Sequence, residues 1–257
     1  MIIKRIVFFT ALLGACMPAL PCAAALKVYY LRHAQSGGNV ARDWAEIPAD
    51  KRPAYVGHRA SFSPLGEQQA AFVAAKLAGH SFDFIAVSPL WRTHHTILGL
   101  LQERNAVAEI WPELIEFGAQ NGDQSLIATA NLPAPSPEVL SGGPAILLSE
   151  KEKPHFRFRP DGLTEPKIDR PGAEGAADLT FILNRVITRV RTEFGGTDKS
   201  ILLVGHGTAG RFFLQLLTGD EETTKLPFQN IGLWMAEQQP DGSFKLVLAN
   251  DKPVASR

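Results

Sequence analysis

Arg32-His33, Arg92 and Gly205-His206-Gly207 are the residues of this 257-residue chain whose types suit one shared task. A guanidinium binds a tetrahedral oxyanion by planar, two-point hydrogen bonding, and a neutral imidazole has a lone pair that can attack phosphorus. Two arginines and two histidines gathered in one place would make a pocket for a phosphoryl group. Alone, each piece is ordinary: a single histidine is usually structural, and Arg92 by itself reads as a solvated charge at a helix start. Their joint placement is what counts, because each sits within about one residue of a predicted strand end or helix start.

Those elements are read from periodicity. Residues 26–31 (LKVYYL) are β-prone and run into Arg32-His33-Ala34-Gln35-Ser36-Gly37-Gly38-Asn39. Residues 64–77 space Leu65, Ala70, Val73, Ala74 and Leu77 as a helix face. A second strand over 82–87 ends in Ser88-Pro89-Leu90-Trp91-Arg92, and a helix follows over 90–102. A third strand is predicted over 108–111. Over 175–194, Leu179, Ile182, Leu183, Val186 and Val190 recur at helical spacing, which makes this the longest amphipathic helix. Residues 200–204 (SILLV) are almost wholly apolar, as a strand buried on both faces should be. They lead into Gly205-His206-Gly207-Thr208 and a helix through Leu217, and a hairpin over 231–237 and 243–248 closes the chain. Strands alternating with helices predict an α/β fold, a three-layer αβα sandwich on a mainly parallel sheet. In such sheets the sites lie beyond the carboxyl ends of the strands, where helix N-termini and loop amides converge.

Composition bounds the partners and the compartment. With 26 Lys+Arg against 26 Asp+Glu and no long basic run, nothing attracts a nucleic-acid backbone or an anionic membrane. Both cysteines, Cys16 and Cys22, lie in a segment with Lys4-Arg5, an apolar stretch and Ala23-Ala24-Ala25. This pattern predicts a secretory signal peptide over 1–25. Pro18 and Pro21 interrupt it, so a stable membrane span is not expected. Lipidation at Cys16, within Leu13-Gly14-Ala15-Cys16, is the other reading of that segment. Cleavage after Ala25 would leave 24 basic and 26 acidic residues and no thiol, which suits a periplasmic or secreted protein. One domain is expected over 26–257, carrying a proline-rich insertion at about 119–171.

The motifs resemble those of the histidine phosphatase superfamily, in its phosphoglycerate mutase-like branch. Arg32-His33-Ala34 stands for the family's Arg-His-Gly, and Ser36 and Asn39 match its loop. Residues 62–70 (FSPLGEQQA) resemble its "T-x-x-G-x-x-Q-A" helix start, and 87–96 (VSPLWRTHHT) its second arginine motif. Leu114-Ile115-Glu116-Phe117-Gly118 resembles the "L-x-E" segment, and Val204-Gly205-His206-Gly207 with Arg211 the second histidine motif.

The resemblance implies that His33 is the nucleophile and becomes phosphohistidine. Arg32, Arg92 and His206 would hold the phosphoryl oxygens, with Ser36, Asn39 and the amides of Gly207 and Thr208 as lesser contacts. Glu116 would be the proton donor, with Glu113 the alternative; Gly207 stands where another branch of the family carries its acidic residue. No cofactor and no metal are implied. His94-His95 is the one adjacent histidine pair, and consecutive helix residues point about 100° apart, so a shared site there is not expected. Ala34 adds a methyl beside the nucleophile, which is tolerable where φ is negative. Gly172-Ala173-Glu174-Gly175 departs from the family's Gly-Glu-Ser. His155-Phe156-Arg157-Phe158-Arg159 alternates, as an edge strand or as a second anion contact. The expected activity is hydrolysis of a small-molecule, glycan or lipid phosphomonoester. A mutase and a catalytically idle phosphate-binding module are the alternatives.

Overall fold

The computed structural model describes residues 25–116, 148–158 and 173–254, with side chains from 179 onward in the last stretch. Most of the predicted signal segment and of the proline-rich insertion, including Arg159, lies outside the described residues, as do Phe117, Gly118 and Gly172. Strands β1 (Lys27–Arg32), β2 (Phe84–Val87), β3 (Ala108–Ile110), β4 (Phe156–Phe158), β5 (Ser200–Gly205), β6 (Leu233–Gln238), β7 (Phe244–Ala249) and β8 (Lys252–Pro253) form one sheet. Its order is β4-β3-β2-β5-β1-β6-β7-β8. Pairing is parallel from β4 through β1 and antiparallel from β1 through β8.

Two helices cover each face. Because side chains alternate along a strand, Val28 and Tyr30 of β1 and Ile201 and Leu203 of β5 face one way. There they meet α3 (Ala173–Phe194) and α4 (Gly207–Thr218). Tyr29, Leu31, Leu202 and Val204 face the other way, against Val73 and Leu77 of α1 (Pro64–Lys76) and Ile97, Leu100 and Leu101 of α2 (Trp91–Arg104). This is the three-layer arrangement that strand–helix alternation predicts. All five apolar positions read on α3 are buried. On α1 the reading is corrected at Leu65, which is 49% exposed, because the first turn of the helix lies beyond the core that Val73 and Leu77 join.

The helix ends follow local chemistry. Ser63 caps α1, its Oγ accepting from Gly66 N–H at 3.0 Å, with Pro64 at the first position, where a missing N–H costs nothing. Asn105 stops α2 and Gly219 stops α4, both in the left-handed region. Strand β4 is the edge strand expected from the alternation at 155–158: Arg157 pairs outward with Glu109 at 2.7 Å, and Phe156 is buried.

Candidate active site

Strand register alone brings the two histidines together. Arg32 lies opposite Gly205 in the parallel β1–β5 pair, and His33 N–H donates to Gly205 C=O at 2.9 Å. His33 and His206 therefore leave adjacent strands side by side, with ring centroids 5.2 Å apart. Strand β2 runs on the other side of β5, and Ser88 after it donates its N–H to Val204 C=O at 2.9 Å. The chain then turns into α2, whose second residue, Arg92, is 4% exposed. Arg32, Arg92, His33 and His206, each read from sequence, are thus gathered at the carboxyl edge of the sheet.

A hydrogen bond fixes which nitrogen of His33 carries the proton. His33 Nδ1 lies 2.6 Å from Ala34 C=O. A carbonyl only accepts, so Nδ1 holds the proton and Nε2 keeps its lone pair. His206 Nε2 lies 2.7 Å from Ser88 Oγ, which also accepts from Leu90 N–H at 3.4 Å. A hydroxyl can donate as well as accept, so this contact suits the His206 tautomer with its proton on Nδ1, the one that offers a donor to an anion. That Nδ1 is buried with no hydrogen-bond partner, as is Nε of Arg32. An unpartnered guanidinium N–H and an unpartnered imidazole nitrogen beside the nucleophile mark where an anion's oxygens fit.

Both imidazoles resist protonation. The pKa of each is held well below 6.5, first by burial and then by the charge of Arg92, with Arg32 adding to it. The arginines are legible in the sequence; burial, the stronger cause, is not.

The arginines are held as well. The Arg32 guanidinium donates to Phe228 C=O and packs over Gly207, where a Cβ would come within 3.1 Å of Nε. A side chain at that position, as in the branch with an acid there, would press on Arg32. Glycine at 205 has a similar reason, since a Cβ would lie 2.1 Å from the Tyr30 hydroxyl, which accepts from His206 N–H.

Glu116 is the carboxylate brought to this edge. It accepts from Ala209 N–H at 2.9 Å and Thr208 N–H at 3.3 Å, where the α4 dipole favours an anion, and its charge acts on Arg32. Glu113 is buried in the turn Pro112–Leu114. The Thr208 amide, read from sequence as a phosphate contact, is thus engaged by Glu116. Asn39 Oδ1 accepts from Ser36 N–H at 2.9 Å and Ser36 O–H at 3.2 Å, so those two residues shape the loop between β1 and α1.

Several supports were not read from sequence. Asn230 Nδ2 donates to His33 C=O at 2.8 Å, and Ile231 N–H to Arg32 C=O at 3.1 Å. Ile231 does so at φ 51°, a costly conformation for a β-branched residue. Thr96 accepts from Ala34 N–H at 2.8 Å and donates to Arg92 C=O at 2.5 Å. The backbone at Ala34 has negative φ, so the methyl in place of the family glycine is accommodated.

His94 and His95, not expected to share a metal site, both lie near one carboxylate. Nδ1 of each lies 3.7 Å from the same Glu152 Oε1, because Glu152 reaches the helix from the 148–158 segment and stands between the two directions. Burial opposes the Glu152 charge, but hydrogen bonds from His94 and Ser149 and the nearby imidazoles outweigh it and hold its pKa down to about 2. This cluster ties α2 to the segment that carries β4. Among the described residues, no group of three or more His, Cys, Asp or Glu is arranged to hold a metal ion.

Comparison with known proteins agrees with this geometry. Residues 28–136 match the model of the histidine phosphatase superfamily (branch 1). No curated protein matches the sequence. Among solved structures, alpha-ribazole phosphatase from Shigella flexneri is similar at 18% identity and a TM-score of 0.54, over 90% of this chain and 99% of that one. Phosphoserine phosphatase from Entamoeba histolytica, in complex with 3-phosphoglyceric acid, is similar at 20% and 0.51, over 88% and 98%. The mycobacterial glucosyl-3-phosphoglycerate phosphatase is similar at 15% and 0.52, over 87% and 98%. At these identities the likeness is one of fold. The match over residues 28–136, with its motifs set at the strand ends, makes this part of the chain similar to the histidine phosphatase superfamily.

Proposed function

We propose that the protein is an exported phosphomonoester hydrolase that works through a phosphohistidine on His33. The observation that carries this reading is the His33 ring: Nδ1–H is tied to Ala34 C=O, so the Nε2 lone pair is available beside buried Arg92, half-buried Arg32 and His206. Nε2 attacks phosphorus in line, the N–P bond forms, and the P–O ester bond breaks, its electron pair leaving with the alcohol oxygen. Glu116 supplies the proton to that oxygen. In the second half, water gives a proton to the Glu116 carboxylate and attacks phosphorus, and the N–P electrons return to Nε2 as inorganic phosphate forms. Arg32, Arg92 and His206 Nδ1–H stabilise the charge on the equatorial oxygens, where most of the acceleration in phosphoryl transfer arises. These arginine and imidazole donors supply the stabilisation that a metal ion would otherwise give. The three similar structures described above are named as phosphatases, which supports hydrolysis. The segment 1–25 supports export.

Phosphate release from an aryl phosphate by the chain and by His33→Ala tests the nucleophile. Loss of release in the variant is expected; release at equal rates in both refutes the assignment, and no release by either leaves a phosphate-binding module. Glu116→Gln tests the acid on alkyl esters, whose leaving oxygen needs a proton. A drop of about a hundredfold is expected there, with a smaller one on aryl esters, and intact turnover of alkyl esters removes Glu116 from the role.

A further inference from the structure

The acceptor of the His33 proton is itself held from behind. Ala34 C=O, which takes Nδ1–H at 2.6 Å, belongs to the same peptide group as Gln35 N–H, and that N–H donates to Gln69 Oε1 at 2.8 Å. One chain of dipoles therefore runs from Gln69 through a single peptide plane to the nucleophile. Its members polarise one another, so an acceptor on the N–H makes the carbonyl a stronger acceptor for imidazole. The peptides on either side of this plane are anchored, the preceding one by Ala34 N–H on Thr96 Oγ1 at 2.8 Å and the following one at Gln35 C=O. Gln35 C=O accepts from Ser63 N–H at 3.0 Å, and Gln35 Oε1 from Ser63 O–H at 2.6 Å. The first turn of α1 also lies so close that a Cβ on Gly66 would sit 2.0 Å from Gln35 O. Gln69 is the next residue inward on that helix whose side chain faces the loop.

We propose that Gln69 is a positioning residue that sets the tautomer of His33 through the Ala34–Gln35 peptide. A neutral imidazole has two tautomers, and the one with its proton on Nε2 has no lone pair to offer phosphorus. Gln69 biases the pair toward Nδ1–H, a part played in other enzymes by a carboxylate touching the ring directly. Here the contact is relayed across one peptide, so the carboxylate charge is not needed beside a pocket built for anions. This role rests on His33 being the nucleophile.

The test uses the full chain with 15N-labelled histidine. Long-range proton–nitrogen spectra report which ring nitrogen of His33 is protonated, with His33→Ala identifying its signals. Wild type is expected to show Nδ1–H. Gln69→Leu, which keeps the volume and removes the acceptor, is expected to mix the tautomers and lower kcat about tenfold while KM moves less than about twofold. Gln69→Glu keeps an acceptor and should restore both the Nδ1 proton and most of kcat. If Gln69→Leu does not fold, Gln69→Ala at this partly buried position gives the same comparison. An unchanged tautomer in the variant, with kcat lowered or not, overturns the proposal, as does an Nε2–H tautomer in wild type or no recovery in Gln69→Glu. If His33→Ala keeps full turnover, the nucleophile assignment fails instead, and the tautomer spectra separate the two failures.

Discussion

Acid should destabilise this protein through the histidines of its own site, and His206 is the place to measure it. Its folded pKa is held well below 6.5 by burial first, then by Arg92, His33 and Arg32. Above pH 6.5 both the folded and unfolded forms carry a neutral imidazole, and the stability is fully present. As pH falls through 6.5 the unfolded chain takes up a proton that the folded one refuses, so stability is lost at up to about 1.4 kcal/mol per pH unit for each such group. Integrated from pH 7.5 to 5.5, one histidine that stays neutral in the fold costs about 1.4 kcal/mol. His33 obeys the same sign and adds a similar amount. Substituting His206→Gln removes one titrating group while keeping a polar side chain near Ser88. Urea unfolding at several pH values between 7.5 and 5.5 should then show wild type losing about 1.4 kcal/mol more than the variant over that range, whatever their absolute stabilities. Parallel curves would mean that His206 titrates alike in both states, and the reasoning from burial and the two arginines would be wrong. The same depression keeps the His33 lone pair unprotonated under mildly acidic conditions, so the acid limb of kcat/KM should lie below pH 6.5.

Two glycines give further tests. Gly205→Ala puts a methyl 2.1 Å from the Tyr30 hydroxyl, and Tyr30 is fully buried, so overpacking of about 1–3 kcal/mol is expected in urea unfolding; a loss under about 0.5 kcal/mol would show that Tyr30 yields freely. Gly207→Ala approaches the Arg32 guanidinium at 3.1 Å, and Arg32 is anchored on Phe228 C=O, so the charge must shift by a few tenths of an ångström. Inhibition by inorganic phosphate should weaken about fivefold, part of the worth of one charged hydrogen bond; unchanged inhibition would take Arg32 out of the anion site.

The elements that carry chemistry are legible because burial on both faces of a parallel sheet leaves a compositional trace. SILLV is apolar throughout, and its neighbours in space, LKVYYL and the strand before Ser88, are nearly so. Once such strands are ordered, their ends are known, and the residues that follow them, Arg32-His33, Ser88 to Arg92 and Gly205-His206, must share an edge. Helix α3 is legible for the same reason at period 3.6. Leu65 escapes the pattern because periodicity says which side of a helix is apolar, not how far the core extends along it.

What stays hidden has a common physical character: it depends on where backbone groups point. Gln69 and Ser63 stand in the sequence as a motif, but their use lies in the two backbone groups of Gln35, and nothing in residue type reveals that Gln35 N–H will need an acceptor. Asn230 grips His33 C=O because β6 runs antiparallel to β1 and must turn at Ile231, at a φ that residue avoids. Glu152 meets His94 and His95 only because β4 returns beside β3 after the insertion. Ala34 can be weighed only once its φ is known. The nucleophile, its arginines and the second histidine announce themselves by type and spacing. The groups that decide which nitrogen of His33 carries the proton do not, because a tautomer is set by the direction of a carbonyl, and that direction is a property of the fold.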